Sequence, residues 1–75
     1  MIRTPVAGSV WTHSTSIGQR VFAGTTLLVV EVMKTEWPIE AHTDGTVTWL
    51  KACGETIEVN DHVATLDDAP ARAQP

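Results

Sequence analysis

Among the side chains of this 75-residue chain that could do chemistry, Lys34 is the one whose surroundings break a local rule. A lysine amine is a nucleophile once it loses its proton, and it must be within reach of whatever it attacks. Lys34 shares with Met33 a two-residue connection between two strand-like runs, Leu27-Leu28-Val29-Val30-Glu31-Val32 and Thr35-Glu36-Trp37-Pro38-Ile39-Glu40-Ala41. Two-residue turns that match strand twist need positive backbone angles, which Gly, Asn or Asp supply cheaply and Met or Lys do not. Such departures concentrate where function overrides local stability, so the amine reads as a group held out for chemistry or modification. The alternative is a longer or bulged loop that carries an ordinary solvated lysine.

Other reactive residue types form weaker patterns. Glu31 and Glu36 flank the lysine symmetrically; as a like-charged cross-strand pair they slightly destabilise the hairpin, and they serve either as an acidic collar for a modifying enzyme or as plain solvated groups. His13, His42 and His62 stand 29 and 20 residues apart with no Cys-x-x-Cys or His-x-x-x-His spacing, which argues against a metal site. Ser14-Thr15-Ser16 lacks both a Gly-x-Ser-x-Gly elbow and P-loop spacing and reads as a polar loop. Trp11, Trp37 and Trp49 could stack nucleic-acid bases only beside a basic groove, so they are assigned to the core or to partner contacts, with Trp37 the best contact candidate because it is close to Lys34. No nucleophile, base and orienting group can be assembled from this inventory, so the chain is expected to be non-catalytic.

The elements that must position Lys34 are short strands. Gly8-Ser9-Val10 is echoed 37 residues later by Gly45-Thr46-Val47, and Gly18-Gln19-Arg20-Val21 is echoed 36 residues later by Gly54-Glu55-Thr56-Ile57. Two copies are too few for a solenoid, so two half-domains folded onto each other are expected, with the Met33-Lys34 hairpin joining them. Strands are expected at Arg3–Ala7, Ser9–Thr12, Arg20–Phe22, Leu27–Val32, Thr35–Ala41, Thr46–Leu50, Thr56–Val59 and His62–Leu66, separated by Gly, Asn and Asp turns. An all-β flattened barrel of two four-stranded antiparallel sheets with internal pseudo-two-fold symmetry removes most exposed edges. Its core is expected from Val10, Val21, Leu28, Val30, Ile39, Val47, Ile57, Val63 and Leu66. Pro38 must lie at a sheet edge or bulge. The domain is expected over residues 1–67, with a flexible tail over 68–75.

Composition bounds the function. One small domain buries only about 60% of its unfolded surface, which leaves no room for a substrate pocket plus catalytic apparatus. No apolar run approaches the ~20 residues of a spanning helix, and the N-terminus has no apolar secretory segment, so neither membrane insertion nor export is expected, and the location is taken as cytoplasmic. Cys53 is the only cysteine, which excludes internal disulfides. A net charge of −4 with five scattered basic residues argues against nucleic acid.

Glu31-Val32-Met33-Lys34-Thr35 resembles the attachment motif of biotinyl domains, commonly Glu-Ala-Met-Lys-Met, in which the lysine carries biotin in amide linkage. Arg3-Thr4-Pro5-Val6-Ala7-Gly8-Ser9-Val10-Trp11 is similar to the first strands of biotin carboxyl carrier proteins, and Ile39-Glu40-Ala41 and Asp44-Gly45-Thr46-Val47 fall at that family's usual spacing from the lysine. The resemblance covers about residues 3 to 67. Val32 replaces the usual alanine and Thr35 the usual second methionine. Lipoyl domains share the fold but usually carry Asp before the lysine, so Met33 favours biotin. The short connection Thr12-His13-Ser14-Thr15-Ser16-Ile17 lacks the longer thumb of many bacterial carriers. The resemblance implies a carrier biotinylated on Lys34, with Glu31, Val32, Met33 and Thr35 forming the motif read by a biotin protein ligase. It further implies a biotin carboxylase and a carboxyltransferase as partners, between which the arm shuttles carboxylate. A lipoyl carrier or an unmodified β-barrel interaction module are the competing readings.

Overall fold

Short apolar runs punctuated by turn residues fold here into eight strands, and the described residues contain no helix. A computed structural model describes residues 2–67; the expected tail, 68–75, lies outside them. The strands are β1 (Ile2–Arg3), β2 (Gly8–His13), β3 (Arg20–Val21), β4 (Thr26–Val32), β5 (Thr35–Glu40), β6 (Gly45–Leu50), β7 (Thr56–Ile57) and β8 (His62–Asp67). They form two antiparallel four-stranded sheets, ordered β1-β8-β6-β3 and β5-β4-β2-β7. Exchanging β1 with β5, β2 with β6, β3 with β7 and β4 with β8 converts one order into the other, which is the pseudo-two-fold expected from the sequence repeat. Each half gives two strands to each sheet, so neither half can bury its apolar face without the other.

The symmetry extends to the irregularities. Trp11 is an extra residue in β2, between the pairs Val10↔Val30 and Thr12↔Val29, and Thr48 is the same extra residue in β6, between Val47↔Leu66 and Trp49↔Thr65. A second bulge interrupts β4 at Leu27 and its counterpart interrupts β8 at Val63. Bulges break strict alternation of faces. Consecutive residues Leu27 and Leu28 are therefore both buried, as are Val63 and Ala64. The displaced Leu27 carbonyl accepts hydrogen bonds from the Ser14 N–H and from the buried Thr15 hydroxyl, both at 3.0 Å. In the other half, the Val63 carbonyl accepts from the Lys51 N–H at 2.8 Å.

Eight of the nine expected core residues are buried; Leu66 is only partly buried and packs against the core. Ile2, Leu27, Ala41, Leu50 and Ala64 complete the core. The first strand is shorter than Arg3–Ala7. After Arg3, the Thr4 hydroxyl donates to the Val6 carbonyl at 2.7 Å and accepts from the Val6 N–H at 3.2 Å, and this local loop leaves the following residues unpaired with a neighbouring strand. The third and seventh strands are likewise two residues each. Pro38 lies on β5, an edge strand, where its missing N–H costs no ladder bond.

Candidate functional site

Both residues of the Met33-Lys34 connection have positive φ, 50° and 67°. That is the conformation of a type I′ turn, and the flanking pair Val32↔Thr35 closes it without a bulge. Neither side chain suits these angles, since a left-handed residue with a β-carbon costs roughly 1–2 kcal/mol. In exchange the turn is as tight as a hairpin permits. Met33 is 93% exposed, Lys34 is also exposed, and among the described residues the Lys34 amine has no hydrogen-bond or ion-pair partner. The arrangement offers a single amine at the tip of a short, defined projection.

The root of that projection is rigid. Val30, opposite Trp37, is fully buried, and Val32 packs partly against the core. Strand β2 approaches the root so closely that a β-carbon at Gly8 would collide with the Glu31 carbonyl oxygen and stand 3.1 Å from methyls of both Val30 and Val32. Glu31 and Glu36 are paired directly across the hairpin and both are exposed. Pro38 cannot donate, so Val29↔Pro38 is a non-hydrogen-bonded pair, and by alternation so is Glu31↔Glu36, the type that brings side chains closest. Two carboxylates therefore stand side by side just below the lysine.

Trp37 shares the face of β5 that buries Ile39, yet it is 44% exposed because it lies at the open margin between the sheets. Below it runs a cleft of about 270 Å³ between the edge strands, with Ile2, Arg3 and Pro5 on one side and Trp37 to Glu40 with His42 on the other. The cleft was not anticipated from sequence. Its signal was the repeat itself, which makes β1 and β5 symmetry mates and so brings two sheet edges together.

The remaining reactive residues are dispersed. His13 is bonded through Nε2 to the Lys51 carbonyl at 2.7 Å, and His62 Nε2 lies 2.7 Å from the Thr65 hydroxyl while its ring packs against Trp49 at a centroid distance of 4.8 Å. Among the described residues no group of three or more His, Cys, Asp or Glu could hold a metal ion. Thr15 supports the Leu27 bulge, and Cys53 is an exposed free thiol. No helix among them is long and apolar enough to cross a membrane.

Two interlocked four-stranded sheets that hold one lysine out on a tight hairpin form a frame suited to covalent attachment. The chain belongs to the biotin/lipoyl attachment family, whose model, described as biotin-requiring enzyme, matches residues 1–66. It is 34% identical over 71 residues to the mitochondrial acetyl-CoA carboxylase of Saccharomyces cerevisiae, covering 93% of this chain and 3% of that protein. Against the acetyl-CoA carboxylase of Schizosaccharomyces pombe the identity is 36% over 73 residues, covering 95% and 3%. The Kluyveromyces lactis urea carboxylase structure superposes with a TM-score of 0.85 at 28% identity, over 89% of this chain and 6% of that one. The chain thus spans only about 3% of the length of the curated relatives it matches.

Proposed function

We propose that the chain is a biotin carboxyl carrier, biotinylated on Lys34, that shuttles carboxylate between a biotin carboxylase and a carboxyltransferase. The observation that carries this reading is the Met33-Lys34 turn, where two residues unsuited to left-handed geometry hold an unpartnered amine at the tip. The residues present fit a covalently attached acyl group: an exposed amine on a rigid root can be reached from many directions. In the reaction with a biotin protein ligase, the neutral Lys34 Nζ attacks the activated acyl carbon, the amide bond forms as the activating phosphate leaves, and the amine gives up its proton. Met33, Val32, Thr35 and Glu31 shape the segment that the ligase reads. Once bound, the biotin ureido nitrogen would supply the carboxyl-carrying chemistry. The domain's own part is mechanical: it presents the arm, and tethering converts each delivery into an intramolecular encounter. The relatives named as carboxylases support this reading, and the domain itself would catalyse nothing.

The test is intact-mass and peptide mass spectrometry of the chain coexpressed with a biotin ligase. One biotinyl group confined to Lys34 is expected. Modification at Lys51 instead, or a lipoyl adduct without biotin, would overturn the reading.

A further inference from the structure

We propose that the biotinyl arm on Lys34 folds back onto its own domain and rests in the cleft between β1 and β5, with its ring system against Trp37. This rests on the carrier reading of Lys34. Three observations on the structure lead to it.

The first is reach. β5 runs directly from Lys34 past Trp37 into the cleft, and at about 3.4 Å per residue Trp37 lies roughly 10 Å and Ile39 roughly 17 Å from the lysine along the strand. An extended chain advances roughly 1.2 Å per bond, so the eleven or so bonds from the lysine Cα to the biotin ring span about 13 Å. The ring therefore arrives between Trp37 and Ile39, where the cleft opens. The second is chemistry. Trp37 presents a half-covered indole on the core-facing side of β5. Ile2 and Pro5 give the opposite wall apolar surface, with Arg3 between them in sequence and Glu40 and His42 at the margin. A ureido ring carries N–H donors and a carbonyl acceptor beside an apolar sulfur-containing ring. Glu40 can accept from the first and His42 can donate to the second. The third is affinity. At about 270 Å³ the cleft is smaller than the roughly 300–1,000 Å³ typical of sites that hold free ligands. A tethered group acts at an effective concentration of about millimolar, so a site too weak to retain free biotin is still substantially occupied by the arm. In the short β2–β3 connection, residues 14–19, no long excursion competes for the ring.

The experiment compares the isotope-labelled chain, unmodified and biotinylated, by amide and indole NMR, with the modification verified by intact mass. Docking predicts that the Trp37 indole and the backbone amides of Glu40 and His42 shift on biotinylation. Trp11 and Trp49, which do not line the cleft, should stay in place. Free biotin added to the unmodified chain at the protein's own sub-millimolar concentration should reproduce none of these shifts. Trp37→Ala and the exposed, fold-neutral Glu40→Ala should each cut the His42 shift of the biotinylated chain severalfold. Shifts confined to Val32 through Thr35 would overturn the docking and leave the carrier reading intact. Failure to obtain any biotinyl adduct would overturn both.

Discussion

Glu31 and Glu36 face each other across the hairpin in a non-hydrogen-bonded pair, one residue below the Val32↔Thr35 pair that closes the turn. Like charges at such a site repel at close range, and replacing one by its opposite is worth about 0.2–1 kcal/mol. Glu36→Lys should therefore stabilise the fold by that amount in a urea melt, and the gain should shrink in high salt. If the acidic pair also serves ligase recognition, the same variant should be biotinylated more slowly than the parent at equal ligase concentration. An unchanged rate would leave the pair with an electrostatic effect on stability alone.

The turn itself is predicted to trade stability for presentation. Asn-Gly suits a type I′ turn far better than Met-Lys. The double variant Met33→Asn, Lys34→Gly should be more stable by about 1 kcal/mol, as expected from relief of left-handed strain, while losing modification altogether. Met33→Asn alone should give part of that gain and keep Lys34 available. A double variant no more stable than the parent would show that the turn is not strained.

Much of the fold was legible because the repeat and the strand periodicity are local signals. The 36- and 37-residue echoes at Gly8/Gly45 and Gly18/Gly54 foretold the pseudo-two-fold, and Pro38 correctly marked an edge. What escaped came from non-local geometry. Leu27 is out of phase with Leu28 and Val30 and joins the core because a bulge inserts it as an extra residue, and in β8 the bulged Val63 lets it and its neighbour Ala64 both be buried, which strict period-two reading cannot register. The first strand stops early because, although the Thr4 backbone still exchanges hydrogen bonds with Asn60 and Asp61, its hydroxyl then offers the Val6 backbone a local bond in place of a ladder. At the site, the exposed Lys34 followed from turn chemistry, whereas the cleft under Trp37 required knowing which edges meet.

Exposure at the turn and burial on the strand that follows it should separate modification from folding. Lys34→Arg lies at an exposed, unpartnered position and should change stability by no more than about 0.5 kcal/mol. It should nevertheless accept no biotin, because a guanidinium stays protonated and cannot act as the amine nucleophile. Ile39, five residues away and buried, should behave oppositely: Ile39→Ala should cost about 2–5 kcal/mol through lost burial and a cavity. A urea melt beside a ligase assay on both variants reads the two effects. A destabilised or biotinylated Lys34→Arg would contradict the assignment.

Gly8 and Gly45 occupy equivalent places in the two halves, yet they should not tolerate substitution equally. A β-carbon at Gly8 would drive into the Glu31 carbonyl, a backbone atom of the central strand β4 on the side paired with β2, and would also press on Val30 and Val32. At Gly45 the nearest atoms are the Asp67 carbonyl oxygen and the Leu66 β-carbon, both 3.3 Å away, on a strand near its end that can give by a few tenths of an ångström. Forced overpacking costs about 1–3 kcal/mol, and the immovable neighbour puts Gly8→Ala at or above the upper end of that range. Gly45→Ala should cost about 1 kcal/mol or less by the same reasoning. Thermal and urea melts of the two single variants test the ranking. Equal losses would mean that the hairpin root yields as readily as the end of β8, and that the close approach of β2 is not what holds the lysine-bearing turn in place.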